Sequence, residues 1–290
     1  MKHILQSIAF ICLFTFSFIS CDKAKDTLSQ PSPKFSSTVD YTGKTVTFKH
    51  LNPESGTEKR QWYFGDGKTE FSTGDSIMHT YDSAFAYVVT LRTVKNGTGV
   101  SGTADMIIKE RLLKINTSFG EMIVFLYNET PFHRNNYLKL TSQQYLNGTT
   151  FHRLVNNFVI QGGDPNSKDL DSTNDGTGGP SYTIPAEIMP SLKHDFGAVG
   201  AARLGDAQNP SKASNGSQFY IVVNTSGTAN LNNEYTVFGK TLKGTDVSLN
   251  IVKQPKNVAG RPYSNIPMTV TSLDLTRAEI IAQYGYRVTK

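Results

Sequence analysis

FHRLVNNFVIQGGDP (residues 151–165) sets an arginine, a glutamine, two phenylalanines and a Gly-Gly pair within one short stretch. Two short segments of mixed apolar and polar residues, His152 to Val155 and Phe158 to Gln161, flank Asn156-Asn157, and an Asn pair so placed predicts a tight hairpin turn. Side chains alternate faces along a strand, so Phe151, Leu154 and Ile160 can enter a core while Arg153, Phe158 and Gln161 converge at one end of the ribbon. One Arg and one Gln on a strand would ordinarily be a solvated edge. The surrounding sequence argues instead for a built site.

From Leu112 to about Leu275 this stretch belongs to an ordered series: KINTSFGEMIVFLYNETP (114–131), GTGGPSYTIPAEI (176–188), HDFGAVGAAR (194–203), NGSQFYIVV (215–223), EYTVFGK (234–240) and PMTVTSLDL (267–275). The series resembles the cyclophilin family of peptidyl-prolyl isomerases. The resemblance implies a mainly β fold, a closed eight-stranded antiparallel barrel capped by two helices, in which closure removes exposed strand edges. Locally, Thr130-Pro131 predicts a helix N-cap followed by proline in the first turn, with Phe132, Tyr137, Leu138 and Leu140 as the apolar stripe. A second helix is expected over Asp246 to Val252.

The chemistry that the family implies is one these residue types can perform. The peptide bond before proline resists rotation by ~18 to 20 kcal/mol because nitrogen lone-pair delocalisation gives it partial double-bond character. As the bond twists, the nitrogen becomes a hydrogen-bond acceptor, so a guanidinium aimed at it binds more strongly in the transition state than in the ground state. By resemblance Arg153 has that role, and an arginine stays charged at any relevant pH. Gln161 would hold the substrate carbonyl or the arginine fork, and Phe158 completes the catalytic set. Phe158, Tyr220 and Leu231 match the apolar pocket for the proline ring, with Val159 and Ala202 as lining. His152, Arg203, Gln218 and Tyr235 are the further substrate-binding positions. No metal, cofactor or covalent intermediate is called for.

Several positions depart from the best-known members of the family. Asn230 stands where they carry a tryptophan, Tyr235 replaces a pocket histidine, Tyr220 a phenylalanine and Arg203 an asparagine. A tyrosine keeps a planar ring and adds one polar handle, so the pocket survives both aromatic changes. The missing indole removes a donor that the family uses to bind the inhibitor cyclosporin.

Competing motifs fall away. DGTGGP (175–180) lacks the Gly-Lys-Ser/Thr ending of a phosphate loop and reads as a surface turn. The histidines at 3, 50, 79, 133, 152 and 194 show no metal-ligand spacing, and no GxSxG elbow marks a serine hydrolase. A net charge of +5 without a long basic run, at 18% charged residues, marks no nucleic-acid surface.

The first 21 residues read as an address: Lys2, an uncharged apolar run from Ile4 to Phe18, then Ile19-Ser20-Cys21. Phe18 to Cys21 resembles a bacterial lipobox, in which the cysteine is lipidated and becomes the new N-terminus. The alternative is an uncleaved membrane anchor, for which the run is marginal. The chain has 2 cysteines, Cys12 and Cys21, both in this segment, so the mature protein would be built without disulfides. Residues 22–34 (DKAKDTLSQPSPK) are polar and Pro/Ser-bearing, as a flexible tether is.

Residues 35–110 change to alternating strands with Gly, Asn, Asp and Ser turns: TVTFKH, QWYFGDG, AYVVTLRTV and TADMIIKE. WYFGDG (62–67) followed by HTYDSAFAYVVTLRTVKNGTG (79–99) resembles the PKD domain, an immunoglobulin-like β-sandwich of cell-surface and secreted proteins. Trp62 and Phe64 share a face and should fill its core, as should Tyr81 and Tyr87, while Asp66-Gly67 forms a turn, with calcium binding by Asp66 the less favoured reading. No Gly or Pro interrupts IIKERLLKI (107–115), so the two domains should sit close together.

The expected molecule is a lipid-anchored foldase of the bacterial cell envelope, at the outer membrane, with a leader over 1–21, a PKD sandwich over 35–110 and an isomerase domain over 111–290. Its partners would be proline-containing exported polypeptides and, through the lipid, the membrane; the sandwich's partner is open. The rival expectation is a non-catalytic lipoprotein that uses the groove and the PKD face to bind protein or glycan.

Overall fold

The computed structural model describes residues 31–55, 59–169 and 171–288. The leader, Cys21 and most of the tether lie outside the described residues. Everything below belongs to one unit, residues 32–290. The tether's last residues are already held: Asn52 Nδ2 donates to Ser32 O, and its Oδ1 accepts from Lys34 N.

The first module has strands β1 (Phe35–Val39), β2 (Thr45–His50), β3 (Lys59–Tyr63), β4 (Thr69–Ser72), β5 (Ser76–Thr80), β6 (Ala86–Lys95) and β7 (Thr98–Ile107). They form two antiparallel sheets, β1-β2-β5 and β4-β3-β6-β7. Period-2 alternation decides the packing: on β2, Val46, Phe48 and His50 are buried while Thr47 and Lys49 are exposed. Val46 and Phe48 meet Trp62, Phe64, Tyr81, Val89 and Leu91 in one core, so the sandwich assignment and the core aromatics hold. Tyr87 packs at its margin, stacked on Tyr81 with centroids 4.3 Å apart. Asp66 is a turn aspartate: one carboxylate oxygen accepts from Lys68 N and the other pairs with His79 Nε2 at 2.8 Å.

The second module continues with β8 (Glu110–Thr117), β9 (Gly120–Leu126), α1 (Pro131–Ser142), β10 (Arg153–Leu154), β11 (Val159–Gly162), β12 (Thr183–Ile184), β13 (Ala198–Ala201), β14 (Ser214–Asn215), β15 (Phe219–Val222), β16 (Val237–Lys243), α2 (Thr245–Val252), β17 (Thr269–Leu275) and α3 (Arg277–Tyr284). Eight strands form one antiparallel sheet in the order β10-β11-β15-β13-β16-β9-β8-β17, and β12 pairs with β14 apart from it. The sheet is not closed as expected. No ladder joins β10 to β17; the seam carries the single bridge Thr150↔Pro267, with Phe151 N donating to Ile266 O and Met268 N to Thr149 O.

Helices α1 and α2 both feed the main core, through Tyr137, Leu138 and Leu140 and through Val247, Ile251 and Val252. Phe132, expected in the apolar stripe, is 62% exposed. Thr130 is the N-cap residue of α1, but its side chain does not cap; Glu187 does, accepting from Phe132 N at 3.0 Å and His133 N at 2.9 Å. The third helix was not anticipated. Its Ile280, with Val288 beyond it, buries against Leu112, Ile123 and Phe125 in a second cluster.

The two modules are stitched by cations. Arg111 forks onto Asp274 and also donates to Asp40 O at 2.9 Å; Arg134 donates to Thr42 O at 3.0 Å; Lys44 Nζ donates to Asn128 Oδ1 at 3.0 Å. Arg277, paired within the second module with the buried Glu110 at 3.2 Å, reaches across to lie over the Phe85 ring, 4.7 Å from its centroid.

Candidate functional site

Val155-Asn156-Asn157-Phe158 forms the predicted turn, closed by Phe158 N donating to Val155 O, with Asn157 at φ 54°. An asparagine tolerates that left-handed conformation better than most residues. The turn sets the register Arg153↔Gln161 and Leu154↔Ile160, so Leu154 and Ile160 point into the core while Arg153 and Gln161 share the opposite face. Regular pairing is shorter than expected, covering 153–154 and 159–162 only.

Strand β15 lies next to β11, and Gln161↔Tyr220 brings Tyr220 beside the pair. Arg153, Phe158, Val159, Gln161, Ala202, Arg203, Tyr220, Leu231 and Tyr235 line one cavity of about 230 Å³. Its apolar side is continuous with a cluster of Val159, Tyr220, Val222, Leu231 and Val237, against which Phe158, Ala202 and Tyr235 pack. Among the described residues no carboxylate or carbonyl holds the Arg153 guanidinium, which therefore keeps all its donors for a ligand. Arg203 is different: it donates to Glu234 O and Leu204 O, pairs with Asp206, and sits 4.4 Å over the Tyr235 ring. Its charge is already answered.

Two of the expected substrate-binding residues stand behind the cavity. Gln218 is buried, accepts from Gln161 Nε2 at 3.0 Å, and donates to Gly178 O at 2.7 Å and Gly176 O at 3.1 Å. It thus fixes the Gln161 amide and ties down the 176–178 loop. His152 is buried, and burial pushes its pKa down to about 4, so it is neutral at ordinary pH. It faces the loop: a Cβ placed on Gly176 would stand 3.7 Å from its Nε2.

The hub of that loop is Asp164, fully buried, whose carboxylate accepts from Asn166 N, Gly176 N and Gly178 N. Residues 175–180 are accordingly a strapped surface turn. Asp164 was not singled out from sequence, although its place directly after Gly-Gly was a usable signal. Among the described residues no group of three or more His, Cys, Asp or Glu side chains gathers as for a metal ion.

Comparison with known proteins adds two family matches. The family described as Cyclophilin type peptidyl-prolyl cis-trans isomerase/CLD matches residues 112–273, and the PKD domain family matches residues 32–106. A peptidyl-prolyl cis-trans isomerase-like 2 of Rhizopus delemar is 35% identical over 165 residues, 55% of this chain and 28% of that protein. A peptidyl-prolyl cis-trans isomerase-like 1 of Neurospora crassa is 34% identical over 156 residues, 52% of this chain and 87% of that protein. The chain thus spans well under half of the first relative and most of the second. A solved cyclophilin type peptidyl-prolyl cis-trans isomerase of Cryptosporidium parvum aligns with a TM-score of 0.50 at 30% identity, over 56% of this chain and 97% of that one.

Proposed function

This chain belongs to the cyclophilin type peptidyl-prolyl cis-trans isomerase family, and from that premise we propose that its cavity catalyses rotation about Xaa-Pro bonds in exported polypeptides. One observation carries the reading: an arginine that has no protein partner among the described residues shares one cavity with the apolar side formed by Phe158, Leu231 and the Tyr220 ring. The proline ring fills the apolar end, and Arg153 donates to the proline nitrogen as it pyramidalises. That contact exists only while the bond is twisted, so it lowers the barrier without tightening the ground state. Gln161 has one N–H of its Nε2 on Gln218 and keeps the other for the substrate carbonyl, while the hydrogen bonds that tie Gln218 and Asp164 to the 176–178 loop hold the rim of the cavity in place.

The envelope setting rests on the first 21 residues alone. The apolar run ending at Cys21 supports lipidation there, and the PKD module over 35–110 supports a place on the outer side of a membrane. The isomerase then works on exported chains whose uncatalysed Xaa-Pro isomerisation takes tens to hundreds of seconds.

A protease-coupled assay on a proline tetrapeptide tests the function. Arg153→Ala should lose on the order of 10²-fold in turnover, the worth of one preorganised donor, while peptide affinity changes far less. An Arg153→Ala protein at wild-type turnover would refute the mechanism. A wild type that binds the peptide without turning it over would favour the binding-module alternative.

A further inference from the structure

Tyr220 lines the cavity, yet its hydroxyl is engaged behind it. The ring is 4% exposed, and its Oη lies 2.8 Å from His194 Nε2. His194, 2% exposed, sends both its backbone N–H and its Nδ1 to Asn232 Oδ1, at 2.8 and 3.0 Å. An amide oxygen only accepts, so Nδ1 carries the ring proton, and in a neutral imidazole Nε2 is then the acceptor. The direction is fixed: Tyr220 O–H donates to His194, and His194 donates to Asn232. Burial lowers the His194 pKa and so keeps that neutral form at ordinary pH.

The chain of bonds joins the floor of the cavity to its wall. His194 O also accepts from Thr228 N, and Thr228 O accepts from Leu231 N, whose carbonyl in turn accepts from Tyr235 N. Leu231 and Tyr235 therefore hang from the residue that holds Tyr220. On its other side the Tyr220 ring lies over Gly200, where a Cβ would stand 2.4 Å from Cζ and Oη. Tyr235 meets it edge-on at 6.1 Å and 82°.

We propose that His194 is a positioning residue for the isomerase reaction: by accepting the Tyr220 proton and bonding Asn232 it holds the proline cavity's floor and wall at one spacing and keeps the tyrosine hydroxyl out of the cavity. The proposal rests on the isomerase reading given above. Without His194 the buried hydroxyl loses its partner, and the cavity that Tyr220 lines is where it can reach water. A tyrosine that rotates toward that water occupies the place of the proline ring.

The test is a set of four variants of the full chain, with kcat and KM measured separately on the proline tetrapeptide. His194→Leu should raise KM on the order of tenfold, the penalty of one unmade buried hydrogen bond. Tyr220→Phe combined with His194→Leu should bring KM back near the wild-type value, because no hydroxyl is left to seek water. Tyr220→Phe alone leaves His194 Nε2 without its donor and should raise KM by less than His194→Leu does, because no hydroxyl is left to turn into the cavity. His194→Gln, which offers an acceptor oxygen in a similar place, should keep most of the wild-type KM. An unchanged KM in His194→Leu, or a double variant worse than that single one, overturns the proposal. If the wild type shows no turnover, the isomerase reading fails instead. The brace is then judged from the same variants' affinity for the peptide by titration, where tenfold weakening in His194→Leu and recovery in the double variant sustain it, and equal affinities overturn it.

Discussion

Asn230 is exposed on the short turn of residues 229–231 that carries the cavity wall residue Leu231. Where the family places an indole there, this chain offers a small amide, so cyclosporin should inhibit it weakly. Asn230→Trp should tighten inhibition by about tenfold, the combined worth of one hydrogen bond and some aromatic area. Titrating the inhibitor against isomerase activity checks this, and tight inhibition of the native sequence would contradict it. At this scale the site was partly legible. Arg153, Phe158 and Gln161 could be read because one hairpin brings them together, and strand periodicity tells which of them share a face. His194 and Asn232 could not, since their bonds span 26 and 38 residues and a lone histidine before an aspartate announces nothing. The tyrosine hydroxyl at 220, where a phenylalanine would do, was the one hint that a polar partner lay behind the pocket.

Helix α1 shows the same limit for a whole element. Thr130-Pro131 placed its start correctly, but the group that satisfies its first N–H donors comes from Glu187, more than 50 residues later. Glu187 also meets His133 Nδ1 at 2.6 Å, and His133 Nε2 reaches Ser214 Oγ at 2.9 Å, so one carboxylate joins α1 to the β12–β14 ribbon. Burial acts to raise the Glu187 pKa, but the hydrogen bonds from the His133 ring and from the His133 and Phe132 N–H groups prevail and hold it below its ordinary value. A carboxyl lowered in the folded state adds stability that is present above its unfolded pKa and lost as pH falls through the folded one. Glu187→Gln should therefore cost about 1 kcal/mol of unfolding free energy at neutral pH. The difference from wild type should shrink as denaturant titrations are repeated below about pH 4.5. A gap that stays constant down to pH 3 would rule out the charged cap. By contrast α3 carries its own signal, Thr276-x-x-Glu279, and forms the reciprocal capping box that such a sequence encodes.

For the molecule as a whole, the cationic seam between sandwich and sheet makes the modules neighbours without placing any sandwich residue in the cavity. A fragment of residues 111–290 should turn over a short peptide at close to the full-length rate. It should nevertheless unfold at a lower temperature, because Arg134 and Arg111 lose the carbonyls of Thr42 and Asp40 and Arg277 loses Glu110. Loss of peptide turnover in the fragment would show that the sandwich belongs to the active fold. For the proposed anchor, Cys21→Ala should abolish labelling with radioactive palmitate, and a mature N-terminus mapped elsewhere than residue 21 would contradict it. The seam was foreseen only as closeness, from a junction without Gly or Pro; its arginines could not be assigned partners because those partners are mostly backbone oxygens, which leave no trace in a sequence. The pairing of β17 with β8 carries a consequence in time. At ~5 to 20 residues per second a ribosome needs roughly 8 to 32 s to pass from the end of one strand to the end of the other. Throughout that interval the sandwich has all seven of its strands in hand, whereas β8 has β9 beside it and a bare opposite edge. The nascent chain thus presents a finished module joined to an unfinished sheet, and a chaperone that guards this protein during synthesis would have its work at Leu112 to Ile115.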